Sequence, residues 1–316
     1  MQQGKAQIAA ITVAGDKEGR VQQVLDALGR QAAVVRLEVI VVDLGTPPHP
    51  ELRTPPGLEV KRVSVPEDAD WGKVRLTGFE QSEAPIVAFL EDHCIPAPGW
   101  AGALLKAYEQ SWAAVSYAFM NGSPDTYVYR AMFLAEYGAW ACPVPHGVSN
   151  LLPCNNVSYK RDALLSLGDD LEWGLANDFL LQERLRARGL PMCIEPGAKV
   201  RHQSNRYLKD CLAGNFRFAR FIASKRFSFG ARDAVQRVFY GLACLPLVPP
   251  LRIARLFRSL KGRPSLWSSF VTSLPVICLV YASAAAGESI GYLFGEGRTQ
   301  ELLRWAELRA PRGSRT

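Results

Sequence analysis

Acidic side chains stand where the chain's most apolar runs end. Asp43 closes Leu37–Asp43 (LEVIVVD), and Glu91-Asp92-His93 follows Pro85–Leu90 (PIVAFL). An ionised carboxylate offers only hydrogen-bond acceptors, so an acid in such a place suits a donor group; a strand-ending turn residue is the alternative. Asn177-Asp178 opens Ala176–Arg188 (ANDFLLQERLRAR), a helical pattern ended by Gly189. Asn177 suits the N-cap, which puts Asp178 in the first turn, where the helix dipole favours its ionised form. A positioned carboxylate of that kind can take a proton from a hydroxyl, or do no more than start the helix. Arg75 offers a rigid fork of donors for phosphate or carboxylate, or is a surface charge on a helix. Thr12, the pair Asn155-Asn156 and the lone imidazole of His202 stand beside further strand candidates.

These residues need a scaffold, and the first hundred residues describe one. Gln7–Val13 reads as a strand, and Arg20–Gln31 places Val21, Val24, Leu25 and Leu28 at helical spacing. Leu37–Asp43 and Pro85–Leu90 are continuous apolar runs, as expected of strands buried on both faces. Leu58–Val65 is a further strand candidate and Trp71–Gln81 a helix candidate. Such alternation predicts a parallel sheet covered by helices, with ligands beyond the carboxyl ends of the strands. Later, Ala101–Gln110 reads as helix and Ala113–Phe119 as strand. Met192–Glu195 and Ala198–His202 read as two short strands.

Composition divides the chain in two. Of 37 Lys+Arg and 30 Asp+Glu, residues 201–316 hold 19 basic and 6 acidic side chains, leaving an acidic N-terminal part. The basic part carries two apolar runs. Val238–Leu251 is broken by Pro246, Pro249 and Pro250, and Leu266–Ala286 has no charge. Basic residues flank both: Arg217 to Arg237 before, Arg252, Arg255, Arg258, Lys261 and Arg263 between, and Arg298, Arg304, Arg309, Arg312 and Arg315 after. Since cytoplasmic flanks carry the excess of Lys and Arg, the pattern fits best if neither run crosses a membrane and both lie in or along one leaflet. A buried helical subdomain with a basic surface is the alternative. Nucleic acid is not an expected partner, because the basic region is interleaved with apolar runs. Seven cysteines without CxxC spacing argue against a zinc or disulfide framework, and the polar start Met1–Ala9 places the first domain in the cytoplasm.

Taken in order, LEVIVVDLGT (37–46), WGKVRLTGFEQSEAPIVAFLEDHCIPAPGW (71–100), CNNVSYKRDAL (154–164), ANDFLLQERLRARG (176–189) and KVRH (199–202) resemble glycosyltransferase family 2, inverting enzymes of GT-A fold. The resemblance runs from Ile8 to His202. It implies that Asp43 hydrogen-bonds the nucleotide base, that Thr12 touches the nucleotide, and that Arg75 contacts base or diphosphate. It implies that Asn155 lines the donor-sugar pocket and that Asp178 is the catalytic base. The family usually has Asp-x-Asp or Asp-Asp-Asp where this chain has Glu91-Asp92-His93. There a divalent cation is held against the donor diphosphate, and imidazole admits Mn²⁺ more readily than Mg²⁺, so Asp92 or His93 is the direct ligand. Relatives often place a His at the position of His202 that reaches the diphosphate or completes the metal site. Asp92 thereby counts both as a donor contact and, with Glu91, His93 and His202, as a metal ligand. Trp100 and Trp173 wall the acceptor cleft or belong to core or rim.

The expectation is therefore an α/β GT-A domain over 1–205 and a basic, apolar, membrane-associated helical segment over 206–316. The expected reaction moves one sugar from a nucleotide-diphosphate donor, a UDP-sugar first, to a saccharide or lipid-linked hydroxyl at the cytoplasmic membrane face. Mg²⁺ or Mn²⁺ is the expected cofactor. The Gln-x-x-Arg-Trp motif of processive synthases is not matched at Gln182–Arg186, which favours single addition. The altered Glu-Asp-His motif leaves a catalytically degenerate sugar-nucleotide-binding protein as the alternative. A nucleotidyltransferase ranks low, because Ala14-Gly15-Asp16-Lys17 is a poor phosphate loop.

Overall fold

The computed structural model describes residues 5–14, 19–45, 51–229 and 234–309. Gly15-Asp16-Lys17, Thr46, Arg312 and Arg315 lie outside the described residues. In chain order the elements begin with β1 (Ile8–Ala14), α1 (Arg20–Gly29), β2 (Leu37–Leu44), β3 (Glu59–Val65), α2 (Trp71–Glu80), β4 (Ile86–Phe89), β5 (Cys94–Pro96), α3 (Trp100–Ala107), β6 (Ala114–Asn121) and α4 (Tyr127–Tyr137). They continue with β7 (Gly147–Val148), β8 (Val157–Lys160), α5 (Arg161–Leu165), α6 (Leu171–Leu175), α7 (Asp178–Ala187) and β9 (Met192–His202). Last come α8 (Leu208–Phe229), α9 (Ala234–Leu260), α10 (Trp267–Phe294) and α11 (Thr299–Arg309).

The chain forms two compact units: Met1–Met120 with Cys142–His202, and Asn121–Ala141 with Gln203–Thr316. The first is built on a sheet of order β3-β2-β1-β4-β8-β6-β9-β5, with β7 on β9. Its half β3-β2-β1-β4 is parallel, and β8 turns antiparallel beside β4. β2 and β4 are buried at every residue, as their unbroken apolar runs require. α2 lies directly on this half. A Cβ on Gly78 would stand 2.6 Å from Ile11 Cγ2 and 2.9 Å from Val42 Cγ2, so only glycine permits the approach.

β9 is one strand of 11 residues instead of the two short strands expected on either side of Pro196-Gly197. Proline gives a strand no donor, but β7 pairs at Cys193–Ile194 and β5 at Val200–His202, so these two ladders pass on either side of it.

In the second unit α4 joins the C-terminal helices. Met132 and Leu134 share a core with Leu256, Leu260, Phe270, Ile277 and Val280. Residues 121–141 precede the division expected at 205, yet they pack here, because α4 supplies an apolar face to these helices. α8 and α10 run backbone to backbone: a Cβ on Gly287 would lie 2.0 Å from the Phe216 carbonyl oxygen, and one on Gly291 2.4 Å from that of Arg220. α9 runs unbroken through Pro246, Pro249 and Pro250. Arg263, one of the basic residues between the two apolar runs, is buried and donates to the carbonyls of Ala141 and Ala139. By length and composition α9 and α10 are both apolar enough to cross a membrane.

Candidate catalytic and metal site

The parallel half of the sheet brings three strand ends together. Ala14 pairs beside Asp43, and Ile11 pairs beside Phe89, whose next residues are Leu90 and Glu91. β9 ends alongside β5 with His202 opposite Cys94, which sets His202 next to His93. The two imidazole rings meet edge to face with centroids 4.9 Å apart. Glu91 Oε2 stands 3.5 Å from His93 Nε2 and 3.6 Å from His202 Nε2. The three residues offer ligand atoms within 4.8 Å of one another.

Neighbouring side chains hold this triad in shape. Asn156 accepts from the Glu91 backbone N–H at 3.0 Å and donates through Nδ2 to Glu91 Oε2, while Asn155 Nδ2 donates to Glu91 Oε1 at 2.8 Å. Asp92 Oδ1 lies 2.9 Å from His93 Nδ1, and Asp92 Oδ2 lies 3.2 Å from Arg20 Nη2. A carboxylate accepts only, so the His93 proton belongs on Nδ1 and the Nε2 lone pair faces Glu91. Acceptors that converge from a carboxylate and two imidazoles fit a divalent cation, and an Asp behind the imidazole is the usual outer support of such a ligand. Asp92, expected among the ligands, therefore stands behind His93, drawn there by the buried charge of Arg20.

Asp178 opens α7 behind its expected cap: Asn177 Oδ1 accepts from Phe179 N at 3.0 Å and Leu180 N at 3.4 Å. The Asp178 carboxylate is 1% exposed. It accepts from Tyr159 Oη at 2.8 Å, from the Asn155 backbone N–H at 2.8 Å and from Arg75 Nη1 at 2.9 Å. Arg75 also donates to the Leu175 carbonyl at 3.0 Å and to Asn155 Oδ1. Burial draws the Arg75 guanidinium down, but the charge and hydrogen bond of Asp178 outweigh it and leave the pKa raised. Burial, then the charge of Asp178, pushes the Tyr159 hydroxyl well above its usual range, so it remains a donor. Arg75 thus faces inward on α2 and sits 5.4 Å above the Phe89 ring.

Asn155 joins the two clusters. It touches Asp178, Arg75 and Glu91, and it does so at φ +68°, a left-handed conformation that asparagine tolerates and alanine does not. Asn155→Gly removes the side-chain bridges and keeps the backbone turn, whereas Asn155→Ala also strains it. Thermal unfolding is expected to show Asn155→Ala less stable than Asn155→Gly by about 1–2 kcal/mol.

The nucleotide-side candidates are placed less uniformly. Asp43 is 2% exposed and forms a bidentate pair with Arg62, at 2.8 Å from Nε and 2.7 Å from Nη2. Thr12 is buried on β1, and its hydroxyl has no hydrogen-bond partner among the described residues. Trp100 is a core residue, fully buried edge-on to Tyr117, and does not wall a cleft. Trp173 is half-buried, with the Arg184 guanidinium 5.9 Å from its ring. Sequence reasoning missed Arg20 and Tyr159 as supports of the site and gave Asn156 no role of its own. Asn156 and Tyr159 lie within CNNVSYKR; Arg20 carried no motif at all.

Residues 10–150 match the family model described as Glycosyl transferase family 2. Thr12, Asp43, Arg75 and Glu91–His93 fall inside the match, and Asn155, Asp178 and His202 beyond it. No curated protein matches the chain. Among solved structures the fold is similar to mannosyltransferase PcManGT from Pyrobaculum calidifontis, solved with GDP-Man and Mn²⁺. Identity is 18%, the match covers 92% of this chain and 88% of that one, and the TM-score is 0.57. Glucosyl-3-phosphoglycerate synthase from Mycobacterium tuberculosis, solved with Mn²⁺, UDP and phosphoglyceric acid, is 21% identical over 72% of this chain and 80% of that one, at TM-score 0.47. The family match thus falls on the strands that carry Thr12, Asp43 and Glu91, and the fold around them is similar to that of a solved mannosyltransferase.

Proposed function

We propose that the protein moves one sugar from a nucleotide-diphosphate donor to a hydroxyl acceptor with inversion at the anomeric carbon. The observation that carries this reading is the contact chain from Asp178 through Asn155 to Glu91, which ties a proton acceptor to a Glu-His-His cluster at the carboxyl edge of a parallel sheet. In this reading Glu91, His93 and His202 hold Mg²⁺ or Mn²⁺, and Asp92 orients His93. The bound cation supplies Lewis-acid neutralisation of the departing diphosphate. Asp178 takes the proton of the acceptor hydroxyl as that oxygen attacks. Its first-turn place on α7 and the Tyr159 and Arg75 donors fix which way its carboxylate points. Thr12 and Asp43 stand on the nucleotide side, and release of Asp43 from Arg62 would free its acceptors for a base N–H. A UDP-sugar is the first donor to try, with a lipid-linked saccharide at the cytoplasmic membrane face as acceptor. The last step is supported by the apolar helices of the second unit.

The fit is checked by thermal shift with nucleoside diphosphates, with and without Mn²⁺. A ligand that binds only the native state at a hundredfold excess over Kd adds about 2.7 kcal/mol. The expected result is a shift with one nucleoside diphosphate that grows when Mn²⁺ is added; no shift with any of them sinks the reading. The alternative, a binding protein without turnover, is favoured by one observation: the Asp178 carboxylate already accepts three hydrogen bonds, from Arg75, the Asn155 N–H and Tyr159. A cation-enhanced shift together with no transfer to any acceptor selects that alternative.

A further inference from the structure

The second unit carries a surface that the transfer chemistry does not use. Along α9 large apolar side chains stand open to solvent: Val235 is 75% exposed, Phe239 66%, Leu242 65%, Leu245 52%, Leu247 53% and Leu251 52%. Val235, Phe239, Leu242 and Leu245 fall on one face at helical spacing, with Leu247 and Leu251 on the other, and a folded soluble surface rarely leaves so apolar a helix bare. At the C-terminal end of the same helix Arg255, Arg258 and Lys261 are exposed. We propose that this unit is a monotopic anchor on an anionic membrane. The bare flank of α9 lies among the acyl chains of one leaflet, and the basic end meets lipid phosphates. The proposal deepens the membrane part of the reading above and is independent of the transfer chemistry.

Spanning is the competing geometry, and the helices argue against it. Between Arg237 and Arg252 the apolar stretch of α9 reaches about 21 Å at 1.5 Å per residue, short of a hydrocarbon core of about 30 Å. Pro246, Pro249 and Pro250 withdraw the N–H groups that would answer the carbonyls of Leu242, Leu245 and Pro246. Within a bilayer those carbonyls need donors from neighbouring helices, whereas water reaches them at the interface. α10 is longer and uncharged up to Glu288, but lipid cannot surround it. Its C-terminal half packs on the α8 backbone at Gly287 and Gly291, and Glu288 pairs with Arg226 and Arg252. Most bare positions of α10, among them Val271, Cys278 and Leu279, lie in its first half, with Ala282 and Phe294 beyond it. The occupant is also set by charge. An isologous contact whose two-fold axis passes near the basic end would bring Arg255, Arg258 and Lys261 near their own equivalents, while a lipid phosphate answers them.

The test is flotation of the full chain, without detergent, with preformed vesicles of phosphatidylcholine alone or mixed with phosphatidylglycerol. The chain is expected to float with the mixed vesicles and at least tenfold less with phosphatidylcholine alone. Phe239→Glu with Leu242→Glu is expected to abolish flotation, and Arg255→Glu with Arg258→Glu to abolish the preference for anionic lipid. Both pairs alter exposed side chains, so the nucleoside-diphosphate thermal shift should be unchanged, and it separates failure here from failure of the transferase reading. A fluorophore on Leu242→Cys, with the exposed Cys278 replaced by serine, should be quenched more by shallow than by central spin-labelled lipids. Flotation unaffected by the glutamates, or quenching greatest at the bilayer centre, overturns the proposal. So does failure to float with a dimer that the glutamates dissociate, which assigns the flank to a second copy.

Discussion

Asp178→Asn is expected to lower the transfer rate by about 10²–10⁴-fold while nucleoside-diphosphate binding persists. The amide keeps the shape of the carboxylate but cannot take a proton, and its NH₂ meets donors where an acceptor is needed. Two of the native partners, Arg75 Nη1 and the Asn155 N–H, can only offer hydrogens to that oxygen pair. A stability cost comes with the rate loss. Arg75 is buried, and without the counter-charge of Asp178 it becomes an uncompensated charge, a situation that costs about 3–5 kcal/mol in buried pairs. Rates are therefore compared well below the unfolding midpoint. Tyr159→Phe supplies the control: it removes one hydrogen bond and no charge, so it should lose about 0.5–1.5 kcal/mol and retain most of the rate. An Asp178→Asn protein that transfers sugar as fast as the native one removes Asp178 from the role of base. Loss of binding together with rate would make it a structural counter-ion of Arg75 instead.

That double role was only half legible in the sequence. The cap and first-turn position of Asp178 followed from Asn177 and the helical period of α7, because such local signals need no tertiary partner. The inward turn of Arg75 did not. It depends on Asp178, Asn155 and Leu175, which lie 80 to 103 positions away along the chain. The parallel half of the sheet was readable because β2 and β4 are buried on both faces and so carry unbroken apolar runs. The meeting of His202 with Glu91 rests on an antiparallel pairing of β9 with the three-residue β5. So short a strand has no periodicity to read, and family likeness alone pointed to His202. Arg20 shows the limit most plainly. On the sequence it is the first residue of an amphipathic helix; only the fold shows it buried against Asp92. In the second unit the prolines of α9 read as breaks, since proline costs about 3 kcal/mol inside a helix. The flanking turns and the packing of Leu256 and Leu260 keep the helix continuous through them.

Removing a ligand of the Glu-His-His cluster is the second change with a large expected effect. Glu91, Asp92 and Asp178 bring three carboxylates into this region against the two guanidinium groups of Arg20 and Arg75. With neutral imidazoles that leaves an excess of negative charge, which a divalent cation reverses and so prepares the site for a diphosphate. Imidazole nitrogen is a better ligand for Mn²⁺ than for Mg²⁺, so Mn²⁺ should bind more tightly, and chelation should remove the nucleotide shift. Glu91→Gln and His202→Ala each take one ligand away and should abolish Mn²⁺ binding in an electron paramagnetic resonance titration. Asp92→Asn takes none. It loosens His93 and leaves Arg20 buried without its counter-charge, and outer supports of this kind typically contribute about 10–100-fold in metal affinity. A graded series, in which Asp92→Asn weakens Mn²⁺ and Glu91→Gln eliminates it, is the signature of a ligand and its support. Equal losses in the two variants would instead make Asp92 a ligand that swings from Arg20 to the cation. Unchanged Mn²⁺ affinity in Glu91→Gln would remove the cluster from metal chemistry and leave Asn155 and Asn156 holding a carboxylate for another purpose.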